Sequence, residues 1–428
     1  MIRVLHITPH LGGGVGKALS SLTAQAQKSS GQVQHTIACL EQPQRTKFLD
    51  EIRGNCEVSI APDRWTLDKL AAAADVVQVE WWNHPATIAC LSAMQSCPMR
   101  LVMWCHVSGL FDPVIPRGLI EACHRFLFTS ACSLEAPDMP RIAARMGERL
   151  GVVSSGVGFA SLPRSRGNPS AELSVGYVGS LNFSKLHPDY VDFLRAVDTA
   201  DFKVRMIGET LNRDVLQARC RDAGRPRLLE FAGYVADVAG ELRTMDVLAY
   251  LLNPVHYGTA ENALLEAIAM GVVPIVLDNP AERHIVEHQR TGLVVRSPSE
   301  FAEALDWLRA NHEKRFEMSV RAAAHVRERY TAAAMESSLQ AHYRATVEEE
   351  MRELPFDEIF GSTPDEWFLS CRSNRDAFDS DLHAMAANPA RFGLTEHTKG
   401  SVFHFLQYFP QAERLREWAS RMEASQCV

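Results

Sequence analysis

The 428-residue sequence contains no run approaching the roughly 18 consecutive apolar residues that a bilayer-spanning helix needs. It opens with MIRVLHIT, which passes directly into a β-branched run, so no leader segment is expected. A basic excess is also missing: 44 Lys and Arg stand against 52 Asp and Glu, a formal charge of -8. That balance argues against nucleic acid as a partner, because phosphate-backbone binding needs a basic footprint. The ten cysteines are scattered without metal-type pairing, and Cys39, Cys90, Cys97 and Cys105 sit in apolar contexts. Reduced core thiols fit this usage better than a disulfide framework. No short-period repeat marks a solenoid, and no His/Cys/Asp/Glu cluster reads as a metal site. The absences together lead to the expectation of a soluble, cytoplasmic protein, and the length exceeds one hydrophobic core, so two domains are expected.

What is present is an alternation of short apolar runs and helical patterns. IRVLHIT, QHTIACL, CEVSIA, DVVQVEWW, MRLVMWCHV, RFLFTS and RLGVVSSGV follow one another with helix-like segments between several of them. Such runs predict parallel strands covered on both faces. The segment GFASLPRSRGNPSA, rich in Pro, Gly, Ser and Arg, interrupts the alternation as an interdomain linker would. The alternation then restarts at LSVGYVG and ends in a long helical stretch over about 299–350. The predicted organisation is a Rossmann-like domain over 1–157, a linker over 158–171, a second Rossmann-like domain over 172–350 and a helical extension over 351–428. Aromatics in the extension recur at roughly helical spacing, which is the mark of an apolar packing face. Arg141, Arg145 and Arg149 fall at i, i+4 spacing in PRIAARMGERLG. A solvated helix face accounts for them, and a patch against a membrane surface is the second reading.

Near the N-terminus stands VLHITPHLGGGVGKALSSL, which invites comparison with a phosphate-binding loop. The Walker A pattern fails, because Leu11 occupies its first glycine position and Ala18 follows Lys17. The dinucleotide pattern G-x-G-x-x-G fails as well, with Lys17 at its last position. A strand, a glycine turn and a helix N-terminus remain, so Gly14 and Gly16 are candidate ligand-approaching amides and Lys17 a candidate cation.

A more specific pattern lies in NPVHYGTAENALLEAIAMGVVPIVLDNPAERHIVEHQRTGLVV. With VGYVGSLNFSKLHPDYVDFLRAV upstream, it resembles the C-terminal domain of GT-B nucleotide-sugar glycosyltransferases, particularly retaining family 4, the glycosyl transferases group 1. The resemblance covers about 1–345 and is specific over 172–296. It implies an α/β GT-B fold, two Rossmann-like domains facing across a cleft, and a retaining, metal-independent hexosyl transfer with no cofactor. It implies a UDP- or GDP-linked sugar as donor and a saccharide or glycolipid as acceptor, in bacterial surface polysaccharide or glycoconjugate synthesis. Thr259, Ala260, Glu261, Asn262 and Ala263 would face the pyrophosphate, with Lys185 as its cation and Glu266 on the ribose diol. Gly233 and Tyr234 would line the base pocket, and His106 would reach the donor sugar from the first domain.

Two positions depart from the family pattern. Its first glutamate, eight residues before Glu266, is Gly258 here, and Glu261 is the only nearby carboxylate able to replace it. The arginine paired with the family lysine is Ser180, so Lys17 or Arg283 is a candidate substitute, or the donor site is atypical. The catalytic candidates are His106, Glu261 and Lys185. A nucleotide-sugar epimerase or a phosphorylase on the same fold, and a non-catalytic protein that binds a nucleotide or saccharide, are the alternatives. Peripheral membrane contact and self-association stay open at this level.

Overall fold

The computed structural model describes the chain except residues 30, 45, 157, 160–161, 164–172, 200, 377, 379–395 and 427–428. The first seven strands are β1 (Ile2–Thr8), β2 (Val33–Cys39), β3 (Glu57–Ile60), β4 (Val76–Trp81), β5 (Leu101–Cys105), β6 (Arg125–Phe128) and β7 (Leu150–Val152). They form one sheet in the order β3-β2-β1-β4-β5-β6-β7. Six more make a second sheet: β8 (Val175–Val178), β9 (Val204–Ile207), β10 (Leu229–Gly233), β11 (Val247–Tyr250), β12 (Val273–Leu277) and β13 (Leu293–Val295). Their order is β10-β9-β8-β11-β12-β13. Every pairing in both sheets is parallel. Every residue of β4, β5, β6 and β12 is buried, as continuous apolar runs between two helix layers require.

Strand order reverses between β1 and β4 in the first sheet and between β8 and β11 in the second. Crevices open at the carboxyl ends of strands at such points. The glycine loop follows β1, the Ser180–Lys185 loop follows β8, and the Asn253–Glu261 loop follows β11. Three of the predicted segments therefore converge on the interdomain cleft by topology alone.

The domain boundaries need one correction. The stretch expected as the long helical end of the second domain is three helices, Pro298–Ala310, His312–Arg329 and Ala332–Val347. The third crosses back: Met335, Leu339 and Tyr343 bury against Val4, Ile37 and Trp104 of the first domain. The second domain thus closes near Tyr330, not at 350, because the apolar face of the last helix matches the first core. The two chain crossings touch, since a side chain at Gly156 would run into the Thr331 carbonyl. The expected linker falls largely outside the described residues.

The C-terminal extension is helical, as expected, with helices Phe356–Phe360, Pro364–Ser370, Val402–Tyr408 and Glu413–Gln426. Phe356, Phe360, Phe368, Phe405 and Trp418 share one core with Trp81, Ile88 and Leu91. Each such side chain contributes about 1.5–3 kcal/mol on burial, so the aromatic spacing is a packing face of the first domain. The extension also reaches the second domain. The Glu396 carboxylate accepts from the backbone amides of Phe183 and Ser184 at 2.7 and 2.9 Å and from Asn212 Nδ2 at 2.6 Å. Among the described residues no helix is long and apolar enough to cross a membrane. On the helix Met139–Met146, Met139, Ile142 and Met146 face inward, and Arg145 pairs with Glu121 at 3.1 Å.

Candidate functional site

The loop after β11 leads into the helix Asn262–Ala269, whose N-cap residue is Glu261. Glu261 has φ +39°, in the left-handed region, where a side chain with a Cβ is strained by about 1–2 kcal/mol. Its carboxylate does not cap its own helix. It turns back instead, taking the 2.5 Å hydrogen bond of the Tyr250 hydroxyl and a 3.0 Å ion pair from Lys185 Nζ, both on Oε2. A Cβ at Gly258 would collide with Glu261 Oε1 and lie 2.9 Å from His256 Nδ1. The carboxylate of Glu261 thus occupies the space that a side chain at 258 would enter, and the left-handed backbone is what lets it arrive there.

Burial by itself would raise the Glu261 carboxyl, but Lys185 and His256 beside it outweigh that and hold it below the usual range. Lys185 responds in the opposite sense: burial lowers it, Glu261 overrides, and the ammonium is held above its ordinary value. His256 lies between two carboxylates, with Nε2 3.1 Å from Glu282 and Nδ1 accepting the Gly258 amide at 3.0 Å. Two acceptors in this group are buried without a hydrogen-bond partner, Glu261 Oε1, which has His256 Nδ1 at 3.9 Å, and Asn262 Oδ1. Buried acceptors of this kind cost about 1–3 kcal/mol each when unsatisfied, so a ligand with hydroxyl donors is what the arrangement suits. The helix N-terminus lacks a side-chain cap, which leaves backbone amides and the positive dipole end for an anion.

The first domain closes over this group. Gly14 faces Asn262, for a Cβ there would stand 2.9 Å from Asn262 Nδ2. Thr129 and Thr259 share a 2.5 Å hydroxyl contact, and the Ser108 amide donates to the Tyr257 carbonyl at 2.9 Å. Lys17 Nζ lies 2.6 Å from Glu266 Oε1, an ion pair across the two domains. The cation considered for the Ser180 vacancy is therefore engaged by the carboxylate assigned to the ribose. Arg283, the other candidate, pairs with Glu135 and Asp278 at 3.1 and 3.6 Å.

Gly16 does not offer an amide to the cleft. It is buried inside the helix Gly13–Ala26, its N–H goes to the Gly12 carbonyl at 3.3 Å, and a side chain would strike the Leu11 carbonyl. Its glycine identity serves close packing. Gly233 makes a left-handed turn with φ +72° at the end of β10, and Tyr234 is 60% exposed. That loop stands on the same strand-end face but apart from the Glu261 group. Ala260 lines a second small cavity with Thr259, Thr129 and Ser130, at the domain interface. Ala263 packs partly buried against the second core.

His106 follows β5 and is held by its own chain of side chains. Its Nε2 meets Glu80 Oε2 at 2.7 Å, Glu80 Oε1 meets His6 Nδ1 at 3.1 Å, and His6 Nε2 meets His35 Nδ1 at 2.8 Å. Gln78 donates to Glu80 at 2.8 Å and accepts from the Tyr343 hydroxyl at 2.5 Å. Burial pushes the Glu80 carboxyl up, yet the hydrogen bonds from His106 and His6 dominate and bring it down to about 2. Motif comparison overlooked this network. Its signal was polar residues at the centre of strands buried on both faces, His6 in β1, His35 in β2, and Gln78 and Glu80 in β4.

Comparison with known proteins bears on the fold that carries this site. Residues 172–311 match the family model Glycosyl transferases group 1. No curated protein matches the chain. Among solved structures, Anabaena Alr3699/HepE in complex with UDP-glucose superposes with a TM-score of 0.65 at 14% identity, over 81% of this chain and 100% of that one. TarM gives 0.66 at 9% identity, over 80% and 99%. The lipopolysaccharide outer core galactosyltransferase WaaB, in its apo form, gives 0.57 at 15% identity, over 80% and 99%. The architecture is that of the GT-B glycosyltransferases, and the second domain carries the group 1 pattern.

Proposed function

We propose that the protein is a retaining glycosyltransferase that moves a sugar from a nucleoside diphosphate sugar to a hydroxyl of a saccharide or glycolipid. The observation that carries the reading is the left-handed Glu261, which brings a carboxylate to Lys185 and leaves Glu261 Oε1 and Asn262 Oδ1 unpaired at an uncapped helix N-terminus. In this reading the diphosphate lies on the amides of Thr259–Ala263, with Lys185 stabilising its developing charge. The two unpaired acceptors receive hydroxyls of the donor sugar. Glu266 exchanges Lys17 for the ribose diol, so donor binding and the interdomain contact are linked through one carboxylate. His106, oriented by Glu80, faces the reaction from the first domain. A departing phosphate oxygen takes the acceptor proton on the same face, with no metal and no separate protein base. The solved relative bound to UDP-glucose favours UDP over GDP as the nucleotide. Cytoplasmic placement, with the arginine face of Met139–Met146 against a bilayer when the acceptor is a glycolipid, belongs to the same proposal.

Titration calorimetry with UDP and GDP, followed by a mass-spectrometric panel of nucleotide sugars with and without EDTA, tests this reading. Binding of UDP and loss of it in Glu266→Ala are expected, with transfer unaffected by EDTA. No binding of either nucleotide would sink the transferase assignment in favour of a protein that kept only the fold.

A further inference from the structure

Beside the loop that carries Lys185 lies a cavity of about 250 Å³. It is the volume of several waters at roughly 30 Å³ each, so it suits a small polar ligand better than a single trapped solvent molecule. Three parts of the chain wall it: Asn83 and Asp112 from the first domain, Ser184 and Asn253 from the second, Arg372 and Lys399 from the C-terminal extension. Ser184 directly precedes Lys185, so the cavity and the Lys185–Glu261 group share a loop.

Arg372 is the anomaly in this wall. It is 7% exposed, and its Nη2 donates to the Gly400 carbonyl at 2.6 Å. Its guanidinium lies 4.2 Å from the Phe368 ring centroid. Its Nε is buried with no hydrogen-bond partner, and among the described residues no carboxylate reaches ion-pair distance of it. Asp112 faces the same cation only at longer range, its Oδ1 accepting the Ser373 amide at 2.8 Å. Buried guanidinium groups are costly unless an anion meets them, and a fork-shaped donor set matches carboxylate or phosphate oxygens. Lys399 adds a second cation on the same wall, 2.8 Å from His10 Nε2 and 5.6 Å from the Trp82 ring centroid.

We propose that this cavity is the acceptor subsite and that it takes an acidic saccharide, whose oxyanion is bound by the Arg372 guanidinium and Lys399. The inference rests on the donor-site reading above and adds the acceptor's chemistry to it. The oxyanion is a sugar carboxylate or a sugar phosphate, and in either case the extension is what selects it. The first domain contributes Asn83 and the second Ser184 and Asn253 as hydroxyl-binding neighbours. A charged acceptor thereby bridges the domains beside the donor, and the C-terminal extension acts as a specificity element of the transfer.

The test uses the full chain saturated with UDP, titrated by calorimetry with methyl glucoside, methyl glucuronide and glucose 6-phosphate. One of the two charged ligands is expected to bind at least about tenfold tighter than the neutral one, the scale of a hydrogen bond to a charged group. Which of them does so identifies carboxylate or phosphate. Arg372→Gln is expected to abolish that preference, with UDP affinity kept within about twofold. Should that variant fail to bind UDP through misfolding, Lys399→Met decides, with an expected loss of about threefold for the charged ligand alone. Equal binding of all three ligands to the UDP complex overturns the acceptor proposal while leaving the donor site standing. A preference that survives in both variants overturns it too. Failure of the wild-type chain to bind UDP removes the donor reading and the acceptor assignment with it.

Discussion

The two walls of the cleft each bury a glutamate, and the two are finished differently. Glu80 in the first domain has both oxygens occupied, by His106 on one and by His6 and Gln78 on the other. Glu261 in the second domain has Oε2 doubly occupied by Tyr250 and Lys185, while Oε1 is buried with no hydrogen bond and only His256 Nδ1 near it, at 3.9 Å. A saturated buried carboxylate is complete as a structural unit and holds its neighbours in place. A half-satisfied one, even with its charge balanced by Lys185 and His256, keeps an oxygen that can still accept a hydrogen bond. In the proposed reading the first wall therefore positions, and the second binds.

Removing the carboxylate charge at Glu261 breaks this contrast most severely. Glu261→Gln should cut turnover by about 10²–10³-fold, the scale for losing one preorganised electrostatic contact in a transition state. UDP affinity should change by no more than about threefold, because the side chain serves the sugar and Lys185 more than the nucleotide. Steady-state kinetics and UDP titration on the same preparation separate the two effects. Gly258→Ala supplies an independent route to the same phenotype, since its methyl group would displace Glu261 Oε1. Normal turnover in either variant would remove Glu261 from the donor site.

Much of this was legible in the residues, and the illegible parts have physical reasons. Alternating apolar runs determine the two parallel sheets because strands buried on both faces need unbroken hydrophobic sequence. The LLEAIAMG segment located the helix of the proposed donor site, and the Gly258 departure pointed to Glu261 as its substitute. Helical spacing puts a helix start near Glu261, but it does not report that Glu261 is the N-cap with positive φ. That strained backbone is what carries the carboxylate back to Lys185, and no pattern of residue types reports it. Gly16 misled for the opposite reason: a glycine in a loop-like motif reads as an approach to ligand, but here it relieves contact with Leu11. Arg372, Lys399 and Asp112 are more than 250 residues apart at their widest, as the 261-residue separation of Asp112 and Ser373 illustrates. No local spacing can announce a cavity assembled from three such segments.

A smaller effect is expected on the saturated side. Glu80→Gln keeps the shape but removes the charge that His6 and His106 share, so stability should fall by about 1–3 kcal/mol. Turnover should drop by about tenfold through misorientation of His106, the lower end of what losing an orienting partner costs. Denaturant unfolding and kcat measured on the folded fraction distinguish the two roles. A stability loss with unchanged kcat would make Glu80 a purely structural residue and would leave the comparison of walls without a functional half.

The smallest effect concerns the seam between the extension and the first domain, where a third cluster sharpens the contrast. His10, His84 and His404 gather around one carboxylate, Glu41, which pairs with His84 at 3.0 Å and accepts from the Tyr408 hydroxyl. Burial lowers His10 to about 4, with Lys399 and His84 adding to the shift and Glu41 opposing it. Burial likewise lowers His404 to about 3, with His84, Lys399 and His10 in support and Glu41 against. His84 is lowered as well, by burial, against the pull of Glu41. A histidine whose folded value is depressed binds fewer protons folded than unfolded below its ordinary pKa of about 6.5. Seam stability therefore stands in full above that pH and falls as pH drops from about 6.5 toward 4. Hydrogen exchange in the helix Val402–Tyr408, corrected for the intrinsic rate, should accelerate a few-fold between pH 7 and pH 5, while β4 and β5 stay protected. Exchange in that helix that is flat across the window would show that the three imidazoles carry their protons at no cost. The carboxylates of both cleft walls, Glu80 held low by hydrogen bonds from His106 and His6 and Glu261 by Lys185 and His256, are expected to keep their charge throughout the same range.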